Sequence, residues 1–467
     1  MSVHTTDETM TSGCTTVDFF RFVVPSILGL VALSSAGIVD GIFVWNYVGA
    51  TALAAVNLVV PLYSVFFGLC VMMLVGGAVV AGKALGGGGD TRRASNIFTK
   101  SLTVIVIFAL TVSSLAHFFA GDIAAFVGAD EEALPLTTEY IRIISPFMLF
   151  MGLAYTLSYF ARVDDAPNYA LAGLVLTAFT NIVLDALFIK MWGWGVSGAA
   201  FASGIAYTLG TAFLMVRFFG RQARIRLIKP YGSWSELFRA AYNGFSEFIN
   251  EMSGGLLMFV INWILIIEAG TTGVAAFTIV NYILWLSIMV AYGTAEALGP
   301  LVSVNFGARK PERIVSFVRL AVGLAIMVGI TFAMALLIYP EELASVFIQS
   351  DEVATLALTM SIIAVIWPAF LFNGINITLS GYFTGMHAAT QSALIAISRS
   401  LVLPLVLIIL FWKTLGLEGA FLALPVAELL TFALSVTLFY RATPEMMMGK
   451  DVATANNKVG NSGVCRT

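Results

Sequence analysis

The sequence predicts an all-α integral membrane protein, with twelve transmembrane helices in two six-helix lobes related by a pseudo-two-fold axis along the membrane normal. Three observations carry that expectation. Of the 467 residues, 59% are hydrophobic and 11% charged, and the mean hydropathy is +0.93, far from the usual balance of soluble domains. Apolar runs long enough to cross a hydrocarbon core of ~30 Å, which takes about 20 helical residues, recur along nearly the whole length. Sliding the chain against itself by about 221 residues also brings four short likenesses into register, all in one order.

The runs cover 19–45, 53–82, 95–119, 134–160, 168–191, 195–220, 236–267, 273–304, 313–339, 353–384, 389–413 and 416–440. Ten-residue stretches of alternating polarity, the mark of a membrane barrel, are absent. Helices therefore do the spanning, because each satisfies its own backbone groups. Residues 1–18 form a polar, mildly acidic tail without the basic start, short apolar core and cleavage site of a secretory signal, so the first helix is expected to stay attached. That helix carries Pro25 and Gly29, four apart. Proline removes a backbone hydrogen bond and crowds the preceding turn, which permits a hinge; Gly and Pro are also common in ordinary membrane helices.

Charge separates the connections. Those after runs 2, 4, 6 and 8 are basic, with Arg92, Arg93, Arg162, Arg221, Arg224, Arg309 and Lys310 among them, whereas the intervening ones carry Asp122, Glu131, Glu268, Glu341 and Glu352. The positive-inside rule places the basic set, and both termini, in the cytoplasm. Lys190 and Lys413 fall on the outer side as single charges at helix ends that can snorkel. The chain then divides into the tail 1–18, an N-lobe 19–220, a cytoplasmic linker 221–235, a C-lobe 236–440 and a solvated cytoplasmic tail 441–467 that need not fold.

The likenesses that suggest duplication are Gly49 to Ala55 with Gly270 to Ala276, Gly195 to Ala199 with Gly416 to Ala420, Gly87 to Arg93 with Gly307 to Arg313, and Tyr159-Phe160 with Tyr382-Phe383. Six is even, so each unit begins and ends on the same side, and the halves relate by an axis along the normal. The competing reading is chance likeness among Gly/Ala-rich membrane helices.

Several chemistries are not supported. Cys14, Cys70 and Cys465 lack metal or redox spacing. His4, His117 and His387 sit apart and imply neither a metal site nor a triad. The Gly86–Gly89 run lacks the Lys-Ser/Thr of a phosphate loop. A net charge of −3 with no basic module argues against nucleic acid. No enzyme and no cofactor are expected.

Charge at membrane depth is functional by default, and Asp40 and Asp185 lie in stretches that are otherwise strongly apolar. Asn181 and Asp185 are four apart and share a helical face. Together with Asp40 they supply oxygen ligands for a hard cation or a proton acceptor; the alternative is a static hydrogen-bonded link between helices. Glu247 and Glu251, again four apart, either face a cavity that attracts a cation or, for Glu247, sit near the cytoplasmic headgroups. Glu296, Arg399 and Glu428 complete the intramembrane charges, and an Arg–Glu pair is the cheapest way to bury two of them. Trp45, Trp285 and Met151 are candidates to line a cavity for apolar cations.

The chain resembles the multidrug and toxic compound extrusion (MATE) transporters, prokaryotic type. The likeness lies in Val39-Asp40 followed by Val48-Gly49-Ala50-Thr51-Ala52-Leu53-Ala54-Ala55, in Tyr140-Ile141-Arg142, and above all in Asn181-Ile182-Val183-Leu184-Asp185 followed by Gly195-Val196-Ser197-Gly198-Ala199-Ala200. It runs from about residue 18 to 441. The resemblance implies an antiporter that expels amphipathic organic cations in exchange for H⁺ or Na⁺, with the coupling site on Asp40, Asn181 and Asp185. It adds a hydroxyl from helix 6, for which Ser203 is the match with Ala202 as alternative, and it matches Pro25 to a proline where helix 1 bends. Some members carry acids in helices 7 and 10; here helix 10 offers Asn373 and Asn376 instead, which weakens a C-lobe cation site of that kind.

The function expected is therefore secondary active multidrug efflux by alternating access. A flippase for lipid-linked precursors or polysaccharides, from the same superfamily, is the alternative; it calls for a basic cavity, whereas the intramembrane charge here is mostly acidic. The partners expected are small organic cations and the lipid bilayer, with the chain acting as a monomer in a bacterial inner membrane.

Overall fold

The computed structural model describes residues 9–220, 222–345 and 353–449. No strand forms among them. In order, the spanning helices are α1 (Thr15–Tyr47), α2 (Ala50–Gly86), α3 (Thr91–Phe118), α4 (Ala133–Val163), α5 (Pro167–Met191), α6 (Gly195–Phe219), α7 (235–269), α8 (271–307), α9 (Pro311–Ile338), α10 (Val353–Ile366 with Ala369–Gly385), α11 (389–415) and α12 (417–441). Each is long and apolar enough to cross a bilayer, so the twelve spans expected from the sequence are present among the described residues.

Two pairs join with no loop at all. Backbone bonding runs unbroken over Ser235–Gly307, yet Gly270 sits at φ 62°, ψ −152°, where one helix ends and the next begins. Gly416, at φ 75°, ψ −155°, does the same between α11 and α12. This corner of backbone space belongs essentially to glycine. In the first half Gly49 and Gly195 open α2 and α6, also with positive φ. Gly49 and Gly270, like Gly195 and Gly416, lie about 221 residues apart. The turn after α4 and the turn after α10 repeat as well. Asp165 and His387 both take positive φ, and the bonds Asp164 N to Phe160 O and Ala166 N to Ala161 O recur as Met386 N to Tyr382 O and Ala388 N to Phe383 O. The duplication is therefore written in the backbone.

Proline explains a strong bend. α10 turns by 56° between its two segments, at Trp367-Pro368, where the pyrrolidine ring deletes a helical hydrogen bond. Small residues set the close packing. A Cβ on Gly210 of α6 would fall 1.9 Å from Thr177 Oγ1 of α5, and one on Gly329 of α9 would fall 2.3 Å from the Phe370 carbonyl of α10.

Packing divides the chain into two compact units. One comprises Phe20–Ala81 and Thr91–Val260; the other gathers Gly82–Asp90 with the described parts of Met1–Phe19 and Ile261–Thr467. In the first unit the connection after α6 is clamped along its length. Asp164 accepts from Arg217 Nε at 2.9 Å and from the backbone N–H groups of Arg224 and Ile225 at 2.8 and 2.9 Å. Farther on, Ser95 Oγ takes Arg226 N, Thr99 Oγ1 takes Ile228 N, and Asn96 bonds both backbone groups of Tyr231.

In the second unit residues 10–18 of the polar start are docked. Arg313 pairs with Asp18 at 2.7 Å, while Asn305 and Lys310 donate to the carbonyls of Met10 and Thr11 at 3.1 and 2.7 Å. After α12, residues 444–449 are helical. The rest of the expected C-terminal tail, with Cys465, and His4 at the other end lie outside the described residues.

Candidate functional site

Asp185 ends the regular part of α5. Immediately after it the backbone changes to a π-helical turn over Ala186–Met191, a device that inserts one extra residue and is frequent at functional sites. Its side chain is fully buried, at 0% exposure. Asp40, half-buried on α1, meets it carboxyl to carboxyl. Oδ1 of Asp40 and both carboxyl oxygens of Asp185 are buried without a hydrogen-bond donor. Ionised carboxylates are acceptors only, so such a contact is repulsive until a proton or metal cation sits between the oxygens.

One turn earlier on α5, Asn181 is 6% exposed and donates through Nδ2 to Ser203 Oγ of α6 at 3.1 Å. That bond occupies the donor end of the amide and leaves its oxygen as an acceptor. Ser203, not the apolar and buried Ala202, is the hydroxyl residue that Asn181 touches. The structure thus joins the four residues in two contacts linked by one turn of α5, Asp40 with Asp185 and Asn181 with Ser203.

Three tyrosines lie beside this cluster, of which the sequence reading named Tyr140 only within a family motif and none as a site residue. The phenols of Tyr63 on α2 and Tyr140 on α4 approach each other, and both lie within electrostatic reach of Asp40. Tyr207 of α6 is half-buried next to Tyr155. A buried tyrosine wants a partner for its hydroxyl, and that was the available signal. Tyr63 also forms one wall of an apolar cavity of about 280 Å³, with Phe66, Leu69, Phe108 and Met148 among its other walls.

The remaining candidates fall as follows. Pro25 is buried inside an α1 that stays helical from Thr15 to Tyr47. Gly29, one turn on, packs against α5, where a Cβ would come within 2.9 Å of Leu174 Cδ1. Glu247 accepts from Asn250 Nδ2 at 3.4 Å. The Cβ of Glu251 faces Gly68 of α2, and a Cβ there would lie 3.3 Å away. Met151 of α4 is half-buried; Trp45 and Trp285 are about half exposed. Asn373, Trp285 and an Arg399–Glu428 pair at 3.6 Å belong to the second unit.

Two stretches, residues 25–187 and 248–410, each match the MatE family model and together span more than half of the chain. The chain belongs to the MatE family. The second match repeats the first after about 223 residues, in step with the backbone duplication. In this MatE protein Asp40, Asn181 and Asp185 fall inside the first match, and Ser203 lies beyond its end. The multidrug export protein MepA of Staphylococcus aureus is 24% identical over 427 residues, covering 90% of this chain and 92% of that protein. MepA of Staphylococcus saprophyticus is 22% identical over 435 residues, covering 92% and 94%. Among solved structures, an outward-facing multidrug resistance MATE transporter of the MOP superfamily superposes with a TM-score of 0.87 at 22% identity, over 96% of this chain and 99% of that one. A MOP superfamily transporter from Pyrococcus furiosus gives 0.86 at 22% identity, again over 96% and 99%. At that identity the likeness is one of fold.

Proposed function

We propose that this protein is a secondary active multidrug efflux antiporter that expels amphipathic, mostly cationic organic compounds while H⁺ or Na⁺ moves inward. The observation that carries the proposal is the Asp40–Asp185 contact. A single charge at the bilayer centre costs roughly 2.5–3.5 kcal/mol on insertion scales, and two carboxylates in contact add repulsion. A fold keeps such a pair where the cost is relieved and restored in turn, and loading one cation does that by changing the local charge by one.

In this reading Asp185 and Asp40 take up the ion, Asn181 supplies a neutral oxygen ligand, and Ser203 orients the amide. Tyr63 and Tyr140 screen the pair from water. Gly29 lets α1 approach α5, and repacking of α1 around Pro25 carries the loaded state to the substrate. The ion drives export only by as much as it favours one conformation over the other. Glu247, Glu251, Trp45 and Met151 of the first unit and, separately, Trp285 and Asn373 of the second are assigned to substrate attraction and lining. The excess of acid among the intramembrane charges favours cationic cargo over a lipid-linked sugar phosphate. The protein sits in a bacterial inner membrane with both termini in the cytoplasm, and MepA, a named multidrug exporter, is its relative over nearly the whole length.

Ethidium efflux from energised vesicles tests the assignment. Asp40→Asn and Asp185→Asn should each fall to the rate of vesicles lacking the protein. Wild-type efflux in either variant removes that residue from the coupling role.

A further inference from the structure

The second unit holds a polar cluster that the coupling site does not use. The guanidinium of Arg399 on α11, 9% exposed, faces the carboxylate of Glu428 on α12, 14% exposed, with Nη1 3.6 Å from Oε1. Its Nη2 donates to Tyr292 Oη of α8 at 3.1 Å, and its carbon lies 6.0 Å from the centre of that ring. Oε2 of Glu428 accepts from Asn376 Nδ2 of α10 at 2.7 Å, and the same amide reaches the Glu428 carbonyl at 2.9 Å. Ser435 Oγ in turn donates to Asn376 Oδ1 at 3.2 Å. One turn before Asn376, Asn373 is 3% exposed and its Oδ1 is buried with no hydrogen bond.

Two features do not suit a purely static ion pair, even though Arg399 hydrogen-bonds Glu428. Arg399 is carried on a π-helical turn, Ser398–Val402, whose extra residue redirects the side chain. The buried Oδ1 of Asn373, one turn from Asn376 on α10, is an acceptor with no hydrogen bond. A carboxylate, a phenol with its ring face, and an amide oxygen are the partners that a planar N–H cation requires.

We propose that the C-terminal half carries a binding site for guanidinium or amidinium cations, formed by Glu428, Tyr292 and Asn373, with Asn376 holding Glu428 in place and Arg399 as the tethered occupant. A ligand cation enters by taking the place of the Arg399 head group. Glu296, one turn beyond Tyr292 on α8, adds negative charge to that helix. The site shares no residue with Asp40–Asp185, so its test is independent of the coupling assignment.

The test uses the purified full chain in detergent with methylguanidinium as probe, reading affinity from the concentration dependence of the melting temperature. Arg399→Ala should bind the probe about tenfold more tightly than wild type. Arg399→Ala/Glu428→Gln should return to the weak wild-type response, and tetramethylammonium, which has no N–H, should have no effect on any of the three. A response of Arg399→Ala that is absent, or equal with and without Glu428, overturns the site. If Arg399→Ala does not survive purification, it and Arg399→Gln are extracted with either cation present throughout. Recovery of folded protein with methylguanidinium alone supports the site, and any other pattern overturns it.

Discussion

The amide of Asn181 makes one hydrogen bond, to Ser203, at 3.1 Å, and that bond decides which end of the amide is offered to an incoming cation. A bond of this kind is worth about 1 kcal/mol, a factor of roughly five in an equilibrium constant. Ser203→Ala should therefore weaken half-saturation of efflux by the driving ion about fivefold, with the maximal rate little changed. Asn181→Ala removes a ligand as well and should weaken it further. Efflux titrated against imposed ion concentration measures both, and equal affinities in wild type and Asn181→Ala would exclude that residue. Asp40, Asn181 and Asp185 were legible because polar groups in a 20-residue apolar stretch stand out. Tyr63 and Tyr140 were not, since a tyrosine in such a stretch also reads as an interfacial anchor, and only the packing of α2 against α4 sets them beside Asp40.

At the scale of elements, the stability of the bundle rests on how closely helices approach. A Cβ on Gly86 of α2 would lie 1.8 Å from the Val304 carbonyl of α8, so Gly86→Ala forces two backbones apart at a cost of about 1–3 kcal/mol. Gly254 of α7 has nothing within 4 Å of the same position, and Gly254→Ala gains roughly 1 kcal/mol of helix propensity. Thermal unfolding in detergent should show the first variant melting several degrees lower and the second unchanged or higher. The two glycine corners supply an internal control. Gly270→Ala and Gly416→Ala occupy the same strained geometry, and their losses in melting temperature should match. The apolar runs marked the spans to within a few residues, because length and hydropathy alone set them. The loopless joins at Gly270 and Gly416 and the bend at Pro368 were invisible, because backbone dihedrals depend on neighbouring helices as much as on residue type.

For the whole molecule, the positive-inside asymmetry predicts which way the chain threads. Phe126, 86% exposed on the short helix after α3, should face outward, and the exposed Lys229 of the clamped connection should face the cytoplasm. In a background with Cys14, Cys70 and Cys465 replaced by Ser, a membrane-impermeant maleimide added to intact cells should label Phe126→Cys and not Lys229→Cys. The reverse pattern inverts the topology. That connection reads in the sequence as a basic linker, and its Arg residues gave no sign that Ser95, Asn96 and Thr99 of α3 hold its backbone.

The central claim is that the two facing acids of α1 and α5 exchange one cation with each turnover. Purified protein reconstituted in liposomes, with ethidium inside and pH and sodium gradients imposed separately, tests it most directly. Wild type should export dye under at least one gradient and stop when that gradient is collapsed, while Asp185→Asn should give the same slow leak under both. Gradient-driven export that survives in Asp185→Asn, or wild-type export indifferent to both gradients, would contradict the account.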